Sequence, residues 1–268
     1  PMAELSGKVI WITGASSGIG EALAYTLSKQ KCKLILSARR ANELERVKAN
    51  CMYQENIVTL PFDLSQENEI AEVKNKALAI FGYIDVLVNN GGISQRGLAK
   101  DTLPEVDRKL MEVDYFGTIF LTKSLIPHFL ARQQGHFVTV TSITGIVSTP
   151  YRSGYAAAKH ALHGFFNALR AELWKDCKHI YVTLVCPGWT NTNLSLTALT
   201  GDGTPQNKKD DTHAKGLSAD KVANAIVKAI IHRKREVYIG GLKEVSAAYL
   251  QRFVPGIFAR IVRVAKVK

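Results

Sequence analysis

The sequence predicts an α/β fold: a doubly wound parallel sheet between two helical layers, in a single domain. Three observations carry that expectation. Short apolar, β-branched runs alternate with longer helical stretches from Lys8 to Gly240, the pattern of a parallel sheet with helical crossovers. The first run, KVIWIT at Lys8–Thr13, passes through GASSGIG directly into EALAYTLSKQ, and strand, glycine turn, helix is the context in which such glycines acquire a ligand-binding meaning. The 268 residues are 46% hydrophobic, enough for one large core, and no linker or internal repeat divides them.

In the glycine turn, Gly14 permits the tight bend and Gly18 lets backbone approach a pyrophosphate. Gly20 lets the helix pack against its strand, while the helix N-terminus favours the anion. Alone, this triplet is shared with methyltransferases and flavoproteins. The second strand, CKLILSA, ends at Arg39 and Arg40, where dinucleotide folds usually present an acid to the adenosine ribose. A guanidinium forks onto a 2′-phosphate, whereas an acid accepts from a free 2′-hydroxyl. The pair therefore favours NADP(H) over NAD, the other reading being solvated arginines capping the helix ANELERVKAN. Ile57 to Pro61 forms the third strand; Asp63 at its tip contacts adenine or caps the helix from Glu67 to Phe81. The fourth strand, YIDVLVN, runs into NNGG at Asn89–Gly92, where small residues let backbone lie against a cofactor. A long helical region from about Thr102 to Arg132 is interrupted near Asp114 and Gly117.

The run HFVTVTS reads as a buried strand ending at Ser142, whose hydroxyl opens into the crevice where such sheets bind ligands. Tyr155 and Lys159 follow in an Ala-rich helix that extends to about Asp176; four residues apart, they emerge from one face. A tyrosine hydroxyl, ordinarily near ~10, is a poor acid at neutral pH, but a fixed ammonium favours its ionised form and makes Tyr155 a candidate proton donor and acceptor. The run HIYVTLVCPGWTNT is a further strand turning at Pro187 and Gly188. Residues 193–217 lose periodicity, which suggests a lid. LSADKVANAIVKAIIH is then a helix and EVYIG a strand.

Composition narrows the function. The net charge of +12 permits nucleic-acid or anionic-lipid contact, yet no nucleic-acid motif accompanies it. Cys32, Cys51, Cys177 and Cys186 lack CxxC spacing and read as buried thiols, without a disulfide or zinc. His160 and His163 read as a buried or interfacial pair rather than ligands. No apolar run is long enough to span a bilayer, and PMAELSGK lacks a signal-peptide core, so an intracellular location is expected. Trp189, Leu194, Leu196 and Leu199, with Ile143, Val147 and Tyr151, offer an apolar crevice lining. In residues 247–268, Leu250, Phe253, Val254, Ile257, Phe258, Ile261, Val262 and Ala265 recur at helical spacing between Arg252, Arg260, Arg263, Lys266 and Lys268. This basic amphipathic tail either packs on its own domain or a dimer mate, or lies at a membrane surface.

With TGASSGIG, Asp63, NNGG, Ser142, YAAAK and PGWTNT in order and at these spacings, the chain resembles the single-domain short-chain dehydrogenases/reductases, from Gly7 to about Gly241. The resemblance implies a Rossmann-type fold, a homodimer or homotetramer, and hydride transfer between NADP(H) and a carbonyl or alcohol carbon. In tone it is similar to members acting on steroids, retinoids or other lipid-like carbonyls. It implies that Ser142 bonds the substrate oxygen, Tyr155 transfers the proton, and Lys159 holds the nicotinamide ribose. It assigns Ser16, Ser17, Ile19, Leu64, Gly91, Pro187 and Gly188 to the cofactor cradle, Asn90 to the cofactor ribose, and Thr190 and Thr192 to the nicotinamide amide and phosphates. Two positions depart from the pattern. NNGG replaces the usual NNAG, which should loosen the backbone at Gly91. Asp114 stands where the family's fourth catalytic residue is an Asn anchoring a water relay to the lysine; an Asp adds charge and donates no amide proton. That departure leaves open a sensor or scaffold that binds NADP(H) with weakened catalysis.

Overall fold

The alternating apolar residues of each short strand must be covered on both faces, and the chain does so with helices on either side of one sheet. In the computed structural model, which describes residues 5–208 and 210–264, the strands are β1 Val9–Thr13, β2 Lys33–Ser37, β3 Ile57–Thr59, β4 Val86–Asn89, β5 Gly135–Val140, β6 Ile180–Pro187, the short β7 Thr190–Asn191 and β8 Leu217–Ser218, and β9 Glu236–Ile239. The helices are α1 Gly18–Ser28, α2 Ala41–Ala49, α3 Ile70–Phe81, α4 Pro104–Leu110, α5 Gly117–Arg132, α6 Ser153–Asp176, α7 Asp211–Ala214, α8 Ala219–Ile231, α9 Leu242–Phe253 and α10 Pro255–Val264. Seven strands form an all-parallel sheet in the order β3-β2-β1-β4-β5-β6-β9, and β7 pairs with β8 separately. The order runs outward from β1 to β3 and then restarts at β4 on the other side of β1, so a crevice opens between the carboxyl ends of β1 and β4.

Strand periodicity of two divides the core cleanly. On one face, Ile10, Ile12, Leu34, Leu36, Val86 and Val88 meet α1 and α8. On the other, Val9, Trp11, Ile35, Leu87 and Phe137 meet α3, α5 and α6. Trp11 is fully buried and its indole N–H donates to Ser37 Oγ at 2.9 Å, so the largest core side chain leaves no orphan donor. The result is one domain in three layers.

Differences from the sequence reading lie at element ends. The third and fourth strands are shorter than the apolar runs: the paired register stops at Thr59, although the Leu60 amide still donates to the Leu36 carbonyl, and starts at Val86, although the Asp85 amide already donates to the Val9 carbonyl. The expected interruption at Asp114 is a π-helical turn, Met111–Phe116, between α4 and α5; such turns insert one residue and re-aim side chains. Residues 193–217 are less irregular than composition suggests. They contain a 3₁₀ turn at Asn193–Ser195, α7, and bridges from Leu199 to Gln95 and Pro205. The tail forms α9 and α10, with Phe258 buried against Ile143, Val147 and Cys186, while Phe253, Ile257 and Ile261 stay exposed. Ala265, Lys266 and Lys268 lie outside the described residues. Among the described residues no helix is long and apolar enough to cross a membrane.

Candidate active site

A cleft of 990 Å³ opens at the carboxyl ends of β1, β4, β5 and β6. Of the residues expected at the site, all but Gly20 and Asp114 line it, and those two stand directly behind the wall. Its dinucleotide half is shaped by backbone. Gly14 and Gly18 have φ of +64° and +60°, the left-handed region that glycine adopts without strain. A Cβ on Gly14 would fall 2.7 Å from Gly91 Cα, and one on Gly20 would run into the Gly14 carbonyl. Ser17 occupies the N-cap of α1 but makes no side-chain bond to its amides, so the first-turn N–H groups are available to an anion.

The ends of β1 and β4 are sewn together by polar bonds. Thr13 Oγ1 accepts from the Asn90 and Gly91 amides, each at 3.0 Å, and the Asn90 side-chain amide donates to the Thr13 and Gly14 carbonyls. Asn90 therefore spends its N–H donors on the turn, and only its carbonyl end is left for a ribose. Gly91 does more than loosen the backbone: a Cβ there would lie 2.5 Å from Leu64 Cδ1, so the glycine makes room for Leu64. Asp63 Oδ1 accepts from the amide and the hydroxyl of Ser65, both at 2.9 Å. It stabilises its own turn and does not cap α3, which begins at Ile70. Arg39 is exposed at the cleft wall, and Arg40 Nη2 donates to Ser16 Oγ at 3.4 Å.

The reacting half is built on α6 and the end of β5. Ser142 stands two residues beyond β5 rather than within it; its hydroxyl accepts from the Thr144 amide at 3.0 Å and donates to the Pro187 carbonyl at 3.4 Å. Tyr155 and Lys159 share one face of α6, with the ammonium 5.5 Å from the phenol ring centre. Gln95 positions this helix. It is fully buried, and its Oε1 accepts from the Gly154 and Tyr155 amides at 2.9 and 3.3 Å, capping two orphan donors of the first turn. Nothing in the sequence near Gln95 signals that role, because the cap comes from 59 residues away.

Asp114 is fully buried behind Lys159, with Oδ2 3.2 Å from the ammonium and Oδ1 accepting from the Ile93 amide at 2.7 Å. Oδ2 is buried and has no hydrogen-bond partner of good geometry, so the ammonium meets it as a charge contact. Burial pushes the Asp114 carboxyl up, against the pull of Lys159 and the Ile93 amide. Burial also works against the Lys159 ammonium, but Asp114 and Tyr155 more than offset it, and the lysine ends up held more firmly in its charged form. The family's neutral water anchor is thus replaced here by a buried ion pair.

A second polar network pins residues 193–217. Arg96 Nε and Arg152 Nη2 both reach Asp210 Oδ2, at 2.6 and 3.3 Å. Arg96 Nη2 lies 3.2 Å from His213 Nε2, and His213 Nδ1 is 2.9 Å from the Thr190 carbonyl. A guanidinium only donates, so Nε2 accepts and the neutral ring donates from Nδ1; burial, which holds His213 below its ordinary value, agrees. Burial and the neighbouring Arg96 bring Arg152 down to about 10. Burial opposes charge on Asp210, but Gln206 and the two arginines keep it below the usual carboxylate range. A charged strap holds what composition alone suggests is a loose lid. Trp189, Leu194, Leu196, Leu199, Ile143 and Val147 line the cleft as expected, whereas Tyr151 does not.

A family model described as short chain dehydrogenase matches residues 8–201. The chain belongs to the short-chain dehydrogenases/reductases. It is 44% identical over 262 residues to "Dehydrogenase/reductase SDR family member 7" of Homo sapiens, covering 95% of this chain and 76% of that one. Two solved structures share its fold. A short-chain dehydrogenase/reductase from Burkholderia phymatum in complex with NAD superposes with a TM-score of 0.83 at 22% identity, covering 95% and 96% of the two chains. A short-chain dehydrogenase from Burkholderia cenocepacia in complex with NADP gives 0.79 at 24% identity, covering 96% and 98%. As a short-chain dehydrogenase/reductase the chain is an oxidoreductase whose fold takes a nicotinamide cofactor. The glycine cradle, the free α1 amides and Thr192 packed against Gly18 fit such a group.

Proposed function

We propose that this chain is an NADP(H)-dependent oxidoreductase acting on the carbonyl or alcohol carbon of an apolar substrate. The observation that carries the reading is the single cleft shared by the glycine cradle, Arg39 and Arg40 at one end and Ser142, Tyr155 and Lys159 at the other. The bound nicotinamide supplies or accepts the hydride. Tyr155 gives its phenolic proton to the substrate oxygen during reduction and takes it back during oxidation. Ser142 donates to the same oxygen as charge develops there, its hydroxyl turning from the Pro187 carbonyl, which it holds only weakly at 3.4 Å. Lys159, buried and charged, favours the ionised phenol after transfer. Gln95 and the Arg96–Asp210–Arg152 strap fix the start of α6 and the facing wall, so phenol and substrate meet without reorganisation.

Preference for NADP(H) rests on Arg39, exposed at the wall with no acid beside it at the end of β2, and on Arg40. Apolar lining from Val113, Trp189, Leu194 and Leu196 supports a lipid-like or aromatic substrate. Exposed Phe253, Ile257 and Ile261, alongside Arg252, Arg260 and Arg263, support docking of this face on an anionic membrane surface, where each cation adds about 1 kcal/mol. Sedimentation with anionic vesicles tests this: equal binding by a chain lacking residues 250–268 removes the tail from that role.

The test of the main reading is a pair of variants. Tyr155→Phe should abolish turnover of ketones and aldehydes while leaving NADPH affinity nearly unchanged. Arg39→Asp should weaken NADPH at least tenfold, about 1.4 kcal/mol, without weakening NADH. Normal turnover by the first variant, or normal NADPH affinity in the second, overturns the corresponding half. A second reading, a cofactor-binding sensor with suppressed turnover, is favoured by the buried Asp114–Lys159 pair alone. It requires that Asp114→Asn switch on turnover in a protein otherwise silent toward carbonyls.

A further inference from the structure

Directly beneath the catalytic serine, three side chains of metal-ligating chemistry converge from parts of the sequence that share no motif. His163 lies one turn beyond Lys159, continuing the Tyr155–Lys159 stripe along α6. Cys186 precedes Pro187 on β6. Glu236 opens the edge strand β9. Cys186 Sγ is 3.7 Å from His163 Nε2 and 3.7 Å from Glu236 Oε1, and one donor atom from each residue lies within 4.8 Å of the other two. We propose that His163, Cys186 and Glu236 form a binding site for a divalent transition-metal ion of borderline softness, Zn²⁺ being the best match.

Donor chemistry and spacing support this assignment. Thiolate, imidazole and carboxylate are the ligand types of tetrahedral zinc. With Zn–S near 2.3 Å and Zn–N near 2.0 Å, a tetrahedral edge between sulfur and nitrogen is about 3.5 Å, close to both observed separations. The direct contacts among these groups are poor in comparison. His163 Nδ1 stands 3.6 Å from Glu236 Oε1, beyond hydrogen-bond range, and burial holds the imidazole below its ordinary value, which favours the neutral ring that a metal needs. The sulfur accepts from Thr141 Oγ1 at 3.4 Å, while its contacts to His163 and Glu236 are longer, both at 3.7 Å. The three residues approach without a short contact among them, Cys186 facing His163 Nε2 and Glu236 facing Nδ1, and one donor from each lies close enough for a small adjustment of imidazole and carboxylate to enclose an ion.

The surroundings meet the other requirements of a metal site. Tyr238 OH donates to Glu236 Oε1 at 3.1 Å, so one of the three ligands carries an orienting partner. The Glu236 side chain is 31% exposed, which provides an entry path and lets the carboxylate adjust. Cys186 is wholly buried, and burial pushes its thiol up. Binding therefore expels the thiol proton to solvent as the sulfur–metal bond forms. The same burial makes Cys186 inert as a nucleophile.

The experiment is an anaerobic titration of the reduced, chelator-treated protein with Co²⁺, followed by Zn²⁺. One equivalent of Co²⁺ should produce a thiolate-to-cobalt charge-transfer band with tetrahedral d–d absorption, and Zn²⁺ should displace it. The band should vanish in Cys186→Ser, and Glu236→Gln and His163→Gln should each weaken Zn²⁺ at least tenfold. No band at one equivalent, a band surviving in Cys186→Ser, or wild-type Zn²⁺ affinity in Glu236→Gln overturns the site. If Cys186→Ser fails to fold, Glu236→Gln decides, because that side chain is part-exposed on an edge strand. These readouts require no turnover, so they stand or fall separately from the proposed reaction.

Discussion

Replacing Asp114 with Asn isolates the buried charge that stands behind Lys159. The variant keeps an oxygen for the Ile93 amide, which Asp114 Oδ1 accepts at 2.7 Å, but removes a charge 3.2 Å from the Lys159 ammonium. At an effective dielectric constant of about 20, that pair attracts by roughly 5 kcal/mol, an upper bound because burial of both charges opposes it. The ammonium also lies 5.5 Å from the centre of the Tyr155 ring, so losing the carboxylate leaves its field at the phenol less opposed. In the wild-type chain the carboxylate cancels part of this field. A change of about 1.4 kcal/mol in that field corresponds to one pH unit.

The expected outcome is therefore a basic limb of the kcat profile for carbonyl reduction displaced about one unit toward acid in Asp114→Asn. Turnover at neutral pH should stay within tenfold of wild type, and NADPH affinity should stay within threefold. Stopped-flow single turnovers across pH give the limb free of product release. A limb that does not move, in a folded variant that binds NADPH, refutes the claim that Asp114 acts through the lysine. A rise from undetectable to measurable turnover instead supports the sensor reading.

Two further outcomes test the frame around the site. Burial, with Arg233 adding to it, brings His136 down to about 3, while in the unfolded chain it titrates near 6.5. Between those values the unfolded state binds the extra proton, so this residue removes about 1.4 kcal/mol of stability for each unit of acidification; His136→Gln should flatten the slope of urea-unfolding free energy against pH by one proton, and an unchanged slope sinks the assignment. Asp210→Ala strips Arg96 and Arg152 of the carboxylate oxygen they share and should lower stability by about 3–5 kcal/mol, with faster proteolysis confined at first to residues 193–217. Wild-type protease resistance there would show that the strap does not hold the segment.

The sheet, the glycine turn and the convergence of Ser142, Tyr155 and Lys159 on one cleft were legible because each depends on neighbours close in sequence. Residues i and i+4 share a helix face whatever the rest of the chain does, and a strand running into a glycine turn and a helix brings its own geometry. The misplacements were equally local. Pro61 continues an apolar run but has no amide to give the ladder, and Ser142 falls beyond β5 because the strand stops where the cleft begins. Asp63 shows the limit of motif logic: an acid before a helix reads as a cap, yet Ser65, two residues on, captures it first.

What sequence periodicity did not expose is the polar wiring between distant segments, and that wiring decides how the site behaves. Gln95 caps the helix bearing Tyr155, and Arg96, the next residue, reaches Asp210 114 positions later. Adjacent residues thus tie one strand-end loop to both the catalytic helix and the segment across the cleft. A lone Gln-Arg pair carries no such information, since its partners are chosen by topology rather than spacing. The consequence is mechanical. Any motion of residues 193–217 that admits substrate must either carry Arg96 and Arg152 with it, disturbing the first turn of α6 and hence Tyr155, or break a buried ion pair. Under the proposed reaction, opening of this segment and the placement of Tyr155 are therefore coupled through one carboxylate.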